Sequence, residues 1–223
     1  MAREERDEFI DKALEADPHL IEVQDRAMAF GTLLTVPELL SASERLYVEQ
    51  SASDFIRLTK ELCGRSPEVE FFNNPKLKRV LHDAYVLAEF VRLSSVDGVW
   101  LNSDDWPDGF VRTSGVAEKI EVTSTHGDRK LGEEHRKPLP PTFDPVENWI
   151  ARADSIPKYL DECICGKIEM NYVDAHTCRL LVYLNIEEYG IRQRETEGVI
   201  SKLKTHYAKH FQAISVLWKQ RLY

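Results

Sequence analysis

A short run near residue 180, Arg179-Leu180-Leu181-Val182-Tyr183-Leu184, is almost entirely apolar and does not alternate. A strand with one solvated face alternates apolar and polar side chains, whereas a strand covered on both faces reads as a continuous apolar run. The run therefore predicts a strand with packing layers on both sides of its sheet. This requirement favours an α/β fold, in which helices flank a central sheet.

The patterns on either side of this run supply helices and strands for such a fold. Helical spacing of apolar residues covers residues 1 to about 65, and Asn74-Pro75 predicts the start of a long helix. Three runs predict strands, at residues 99–101, 109–112 and 119–124, with a turn at Thr113-Ser114-Gly115 that pairs the last two. We expect a helix from Asp144 to about Tyr172 with an interruption at Pro157, a helix over 197–210 and a strand over 211–218.

The resulting order is N-terminal helices, two paired strands, helix, strand, helix and strand. It predicts the α/β class, with a central mixed β-sheet flanked by helices and an α-helical N-terminal region. We expect residues 1–72 to form the helical N-terminal region and residues 73–223 to form the α/β core.

Composition narrows the classes of function. The formal net charge of −9 argues against a general basic coat for nucleic acid, but it leaves room for a local basic strip. Four unevenly spaced cysteines are too few for a disulfide framework, which favours a reducing compartment. The charged start MAREERDEF lacks the apolar core of a signal peptide, and no run of about 18 apolar residues occurs. We therefore predict a cytoplasmic protein with no membrane partner.

Two carboxylates occupy unusual places in the predicted strands. Asp108 follows Pro107 at the start of one strand, and Glu121 lies in the middle of the next. Opposed side chains on adjacent strands lie about 5 Å apart. That separation suits two carboxylates that share a hard divalent cation with water and a phosphate oxygen. A turn Asp and a surface-facing Glu fit the same alternation equally well, so the residues alone leave both interpretations open.

The pattern Pro107-Asp108 followed by Glu121-x-Thr123, after a long helix and before a helix and an apolar strand, resembles the PD-(D/E)XK nuclease superfamily. The resemblance covers residues 75 to about 218 in element order, and it extends to members whose motif ends in Thr. It implies a restriction-endonuclease-like core and a Mg²⁺ or Mn²⁺ ion held by Asp108, Glu121 and the backbone of Val122. Glu89, on the preceding helix, is the implied further ligand.

The chain departs from this pattern at position 123, where Thr123 replaces the Lys of the motif. In the superfamily that Lys orients the attacking water and stabilises charge on phosphorus. Some members supply it from the following helix, where Lys158 and Lys167 are the candidates. We favour Lys167, because Ile164, Lys167, Ile168 and Tyr172 form a helical face that can approach the sheet.

The sequence thus predicts a metal-dependent nuclease that hydrolyses phosphodiester bonds of nucleic acid, DNA or RNA. Arg129, Lys130, Arg136 and Lys137 are candidate phosphate contacts in the loop after the second motif strand, although neighbouring acidic residues also fit a solvated loop. The alternative is a catalytically inactive protein on the same fold that binds nucleic acid or serves as an assembly subunit. A homodimer is compatible with either function.

Overall fold

The computed structural model describes residues 31–129, 146–186 and 188–223 of the chain. Its helices are α1 (Val36–Ser43), α2 (Ala52–Gly64), α3 (Glu68–Asn73), α4 (Pro75–Arg92), α5 (Val146–Glu169) and α6 (Gln193–Tyr207). Its strands are β1 (Gln50–Ser51), β2 (Gly98–Leu101), β3 (Gly109–Thr113), β4 (Val116–Thr125), β5 (Cys178–Leu184), β6 (Ala213–Trp218) and β7 (Arg221–Leu222). Short 3₁₀ helices occupy Glu44–Tyr47 and Ala175–Thr177.

The strands form one seven-stranded sheet in which spatial order follows chain order. Strands β1 to β4 are antiparallel to their neighbours, β4, β5 and β6 run parallel, and β7 returns antiparallel to β6. Parallel neighbours need a crossover, and α5 and α6 supply the two crossovers of this sheet. The predicted α/β class with a mixed sheet is confirmed.

Strand β5 is covered on both faces, as its continuous apolar sequence predicts. Leu181 belongs to a hydrophobic cluster with residues of α1, α2 and α4, whereas Leu180 and Val182 belong to a second cluster with residues of α5 and α6. All three leucine and valine side chains are fully buried. The sheet therefore separates two cores, one beneath the N-terminal helices and one beneath the crossover helices.

Helix α4 begins where the sequence predicts. The Asn74 side chain accepts a hydrogen bond from the backbone N–H of Leu77 at 3.0 Å, and Pro75 occupies the first turn, where its missing N–H costs nothing. Nine buried residues then fix this helix against the sheet. Leu39 of α1 and Phe55 of α2 pack in the same cluster as α4, so the described N-terminal helices share a core with the sheet.

The turn between β3 and β4 has the geometry that a two-residue hairpin needs. Thr113 pairs with Val116, and both residues between them have positive φ, 50° at Ser114 and 84° at Gly115. Such a turn matches the right-handed twist of the flanking strands. It fixes the register that brings the start of β3 to the middle of β4.

Besides shifts of two or three residues at the ends of α5, α6 and β6, the elements differ from the sequence expectation in three places. Helix α5 continues through Pro157, because Ile156 and Leu160 on either side are fully buried and hold the helix in place. Helix α6 begins at Gln193, four residues earlier than expected. The edge strands β1 and β7 have two residues each, too few to show a periodic pattern.

None of the helices in the described ranges is both long enough and apolar enough to cross a membrane.

Candidate active site

The register of β3 and β4 sets Asp108 against Glu121. Gly109 pairs with Ile120, so the next residue on each strand, Asp108 and Glu121, would form the following pair. The backbone N–H of Val122 donates to Asp108 Oδ2 at 2.8 Å. The side chains of Asp108 and Glu121, which lie on antiparallel strands, are therefore neighbours at this end of the hairpin.

Glu121 is buried, and an ammonium group from α5 reaches it. The side chain of Glu121 is 1% exposed, and Lys167 Nζ donates to Glu121 Oε1 at 2.6 Å. The second oxygen, Oε2, is buried without a hydrogen-bond partner among the described residues. A buried carboxylate with one unsatisfied oxygen is costly unless a cation or a further donor completes it.

Thr123 contacts the same helix one turn earlier. Its Oγ1 lies 3.3 Å from Cys163 Sγ, and Cys163 and Lys167 are four residues apart on one face of α5. The Thr at the position of the motif Lys thus links β4 to the helix that carries Lys167. The preference for Lys167 over Lys158 agrees with this geometry, while its catalytic role stays a prediction.

Lys158 is not part of this group. It lies on α5 about two and a half turns before Lys167. Its side chain is 66% exposed, its Nζ lies 3.9 Å from Glu162 Oε1, and it stands 5.2 Å from the ring centre of Tyr159. The structure therefore brings only one of the two candidate lysines to the carboxylates.

The carboxylate of α4 that acts on Asp108 is Asp83. Arg79 Nη2 lies 3.5 Å from Asp108 Oδ1, and Arg79 Nε lies 3.9 Å from Asp83 Oδ2. The negative charge of Asp83 contributes to raising the pKa of Asp108. Asp83 and Arg79 are four residues apart, so both project from the side of α4 that faces this end of the hairpin.

Glu89, the helix carboxylate that the resemblance implies, is not brought to Asp108. Its Oε2 accepts a hydrogen bond from Arg92 Nη2 at 2.7 Å. Six residues of α-helix rotate a side chain by about 240°, so Glu89 and Asp83 cannot face the same site. Glu89 instead borders a separate groove with Tyr183 and Trp218. The structure therefore does not bring Glu89 to the two strand carboxylates, and the α4 carboxylate whose charge acts on Asp108 is Asp83.

The buried charges shift one another's proton affinities. Burial, followed by the charges of Asp83 and Glu121, raises the pKa of Asp108 to about 7, against the opposing effects of the Val122 N–H and Lys167. Burial disfavours the charged form of Lys167, but the hydrogen bond and charge of Glu121 outweigh it and raise the pKa of Lys167. The site therefore holds Lys167 as an ammonium and brings three carboxylates, Asp83, Asp108 and Glu121, together with two cations, Lys167 and Arg79.

A groove of about 450 Å³ opens beside Lys167, between β4 and α5, and its lining includes Thr123, Cys163, Met170 and Tyr172. Burial and then the charge of Glu121 raise the pKa of Tyr172. The ring of Tyr172 stacks on Trp106 at 5.4 Å between centroids. A ligand in this groove would meet the ammonium of Lys167 before it meets Glu121.

The predicted phosphate contacts lie mostly outside the described residues. Lys130, Arg136 and Lys137 fall in the range that the structure does not describe. Arg129 is partly buried and follows the isolated bridge between His126 and Asp128. Their contact with nucleic acid stays a prediction.

The oxygen atoms at the site could supply only part of the coordination shell of a hard cation. Within the described ranges, no three His, Cys, Asp or Glu side chains form a group that could hold a metal ion. Asp108 and Glu121 with the backbone carbonyl of Val122 are a smaller, oxygen-only set, which is what Mg²⁺ accepts when water and phosphate complete its shell. The unpartnered Oε2 of Glu121 is the observation that fits a cation here.

The sequence pattern missed Asp83 and Arg79, and it placed Tyr172 on the helical face of Lys167 without giving it a role. Asp83 and Arg79 have a detectable signal, an oppositely charged pair four residues apart on the polar side of an amphipathic helix. Tyr172 follows α5, and its contacts with Trp106 and Glu121 depend on tertiary packing, which has no sequence signature.

Comparisons of the chain with protein-family models, with curated proteins and with solved structures found no match. The assignment of the site therefore rests on the geometry of this chain and on no relative. It consists of a hairpin carboxylate, a buried strand carboxylate and a helix ammonium, next to an open groove.

Proposed function

We propose that this protein is a metal-dependent nuclease that hydrolyses phosphodiester bonds of nucleic acid, similar to the PD-(D/E)XK superfamily. The observation that carries the proposal is the 2.6 Å contact of Lys167 with Glu121, beside Asp108. It gives the site an ammonium group although Thr123 replaces the motif Lys. The order α4, β2, β3, β4, α5, β5 supports the resemblance, because the motif strands lie between two long helices.

Asp108, Glu121 and the Val122 carbonyl would hold Mg²⁺ or Mn²⁺. The cation would supply Lewis-acid stabilisation of the negative charge that develops on the phosphate. The raised pKa of Asp108 supports this assignment, because burial and then the negative charges of Asp83 and Glu121 disfavour its ionised form, which a bound cation would favour.

Lys167 would act on the reacting phosphate from the groove side. In hydrolysis a water oxygen bonds to phosphorus, the bond from phosphorus to the leaving sugar oxygen breaks, and negative charge grows on the phosphate oxygens. A fixed ammonium lowers the energy of that charge without reorganising during the reaction. Glu121 positions the ammonium, and Thr123 with Cys163 positions the helix that carries it.

We also propose that the protein is located in the cytoplasm. Cys163, Cys165 and Cys178 are thiols, which agrees with a reducing cytoplasm.

The test is cleavage of single- and double-stranded DNA and RNA with Mg²⁺ or Mn²⁺. We expect the wild type to cut at least one of these substrates, and we expect Asp108→Ala and Glu121→Ala to lose cleavage at least about 100-fold, since the two carboxylates would hold the cation. Asp105→Ala is the matched control, because Asp105 contacts the same Arg79 from the surface, where its side chain is fully exposed. Cleavage that survives in Asp108→Ala and Glu121→Ala would overturn the proposal.

One observation favours the inactive alternative. Lys167 already neutralises Glu121, and a buried ion pair of this kind can serve packing specificity alone. A wild type that binds nucleic acid and cuts none of the four substrates with either metal would favour a binding or assembly subunit.

A further inference from the structure

Three side chains form a row across β2, β3 and β4 beside the candidate active site. Trp100 pairs with Phe110, and Phe110 pairs with Lys119. Directly paired residues project from the same face of a sheet, and so do residues two apart on one strand. Phe110 and Lys119 therefore share a face with Asp108 and Glu121, about 7 Å away along their strands. We call Trp100, Phe110 and Lys119 the Trp100 row.

The two aromatic rings of the Trp100 row do not pack in the hydrophobic core formed by the described residues. They stack on each other at 5.2 Å with an angle of 18° between planes, and both are only partly buried. Neither belongs to the two hydrophobic clusters of the described residues, whereas Val99 and Val111, on the other face of β2 and β3, are buried in one of them. Both rings therefore keep part of their apolar surface accessible, next to two cations, as a surface that binds a flat ligand would.

Lys119 connects this row to the active site. Its Nζ lies 5.0 Å from the ring centre of Trp106, and that ring stacks on Tyr172 at the edge of the Lys167 groove. Lys119 forms no ion pair with a carboxylate in the described part of the chain. Its charge is therefore available to a phosphate that lies between the row and the carboxylates.

A second cation, Arg112, lies at the Trp100 end of the row. The guanidinium of Arg112 lies 5.4 Å from the ring centre of Trp100, and Arg112 Nε donates a hydrogen bond of 2.6 Å to Glu49 Oε1, which holds the guanidinium there. The ion pair with Glu49 partly neutralises Arg112. Arg112 therefore contributes mainly by holding the indole ring of Trp100 in place. Lys119 is the stronger candidate for a phosphate contact.

We infer that the Trp100 row is a stacking platform for bases of a single-stranded segment of nucleic acid, whose backbone continues to Asp108 and Glu121. The inference rests on the proposed function and names its substrate class. In a duplex the base faces are already stacked on each other, so only an unpaired strand can offer them to Trp100 and Phe110. Aromatic rings flanked by cations bind single strands in this way with little sequence preference.

The test is binding measured by fluorescence anisotropy in EDTA, where cleavage plays no part. The probes are a labelled single-stranded oligonucleotide and the duplex of the same sequence. We expect the wild type to prefer the single strand, and we expect Trp100→Ala to weaken that binding at least about fivefold. Trp100→Phe keeps a stacking ring and should retain most of the affinity. Tyr85→Ala is the matched control, because Tyr85 is an exposed aromatic residue of α4, paired with Tyr183 and remote from the row.

A second variant tests the charge without removing a ring. Lys119→Met should weaken single-strand binding and reduce the slope of log K against log salt by about 0.7, the value for one lost phosphate contact. This variant keeps the inference testable where Trp100→Ala does not fold.

The outcomes separate the inference from the proposed function. Equal binding of single strand and duplex, or full affinity in both Trp100→Ala and Lys119→Met, would overturn the platform even if the wild type cuts nucleic acid. A dimer in solution that Trp100→Ala dissociates, with oligonucleotide binding unchanged, would assign the row to a second copy of the chain and also overturn it. Preferential, Trp100-dependent binding of single strands would support the platform even if no substrate is cut.

Discussion

Lys167→Met is expected to lose cleavage about 100- to 1000-fold and to unfold about 3 kcal/mol more easily than the wild type. The loss of cleavage follows from removing a preorganised cation from the reacting phosphate. The loss of stability follows because Glu121, 1% exposed, would remain as an unpaired buried charge. Urea unfolding at pH 8 in EDTA measures the second effect independently of any nuclease activity.

Two variants control this result. Lys158→Met removes the same functional group from the same helix, but Lys158 is 66% exposed and pairs weakly with Glu162, so stability and cleavage should both stay near wild type. The double variant of Lys167→Met with Glu121→Gln removes both charges and should recover part of the lost stability. If Lys167→Met and Lys158→Met are equally stable, Lys167 and Glu121 do not form a buried pair. If folded Lys167→Met cuts at the wild-type rate, Lys167 has no catalytic role.

The strand pattern predicts that the strands carrying Asp108 and Glu121 pair in a hairpin, but it leaves open whether the two carboxylates share a site. The turn at Ser114 and Gly115 sets the register, and the period of two then fixes which residues face each other. The continuous apolar run of β5 likewise predicted a sheet covered on both faces. These predictions succeed because they depend on local geometry and on a period of two, which the sequence displays directly.

The choice of helix residues was harder to predict. Asp83 and Glu89 both lie on polar positions of α4, and only the rotation of that helix against the sheet decides which one faces Asp108. That rotation depends on the packing of residues from α1, α2 and the sheet, which no periodic pattern in α4 encodes. Pro157 is a related case, since buried neighbours on both sides keep α5 continuous where the local rule predicts a break.

Asp108→Asn is expected to remove a pH dependence of stability from the protein. Burial raises the pKa of Asp108 to about 7 in the folded state, above its ordinary value of 3.8. The folded state therefore binds the proton more tightly than the unfolded state, so the contribution of Asp108 to stability is full below pH 4 and is lost as the pH rises through 7. Without metal at pH 8, we expect the Asn variant to be more stable than the wild type by up to about 4 kcal/mol.

The measurement is the free energy of urea unfolding at pH 5, 6, 7 and 8, for wild type, Asp108→Asn and Asp105→Asn, in EDTA and in Mg²⁺. Other titrating groups are common to all three proteins, so the difference between profiles reports the substituted carboxylate. Asp105 shares the contact with Arg79 but is fully exposed, so its variant should follow the wild-type profile. Mg²⁺ should stabilise the wild type at pH 8 and leave Asp108→Asn nearly unchanged, because a bound cation favours the ionised carboxylate. Parallel profiles of wild type and Asp108→Asn in EDTA would contradict the raised pKa of the buried Asp108 carboxyl. An equal Mg²⁺ effect on both would contradict Asp108 as a metal ligand.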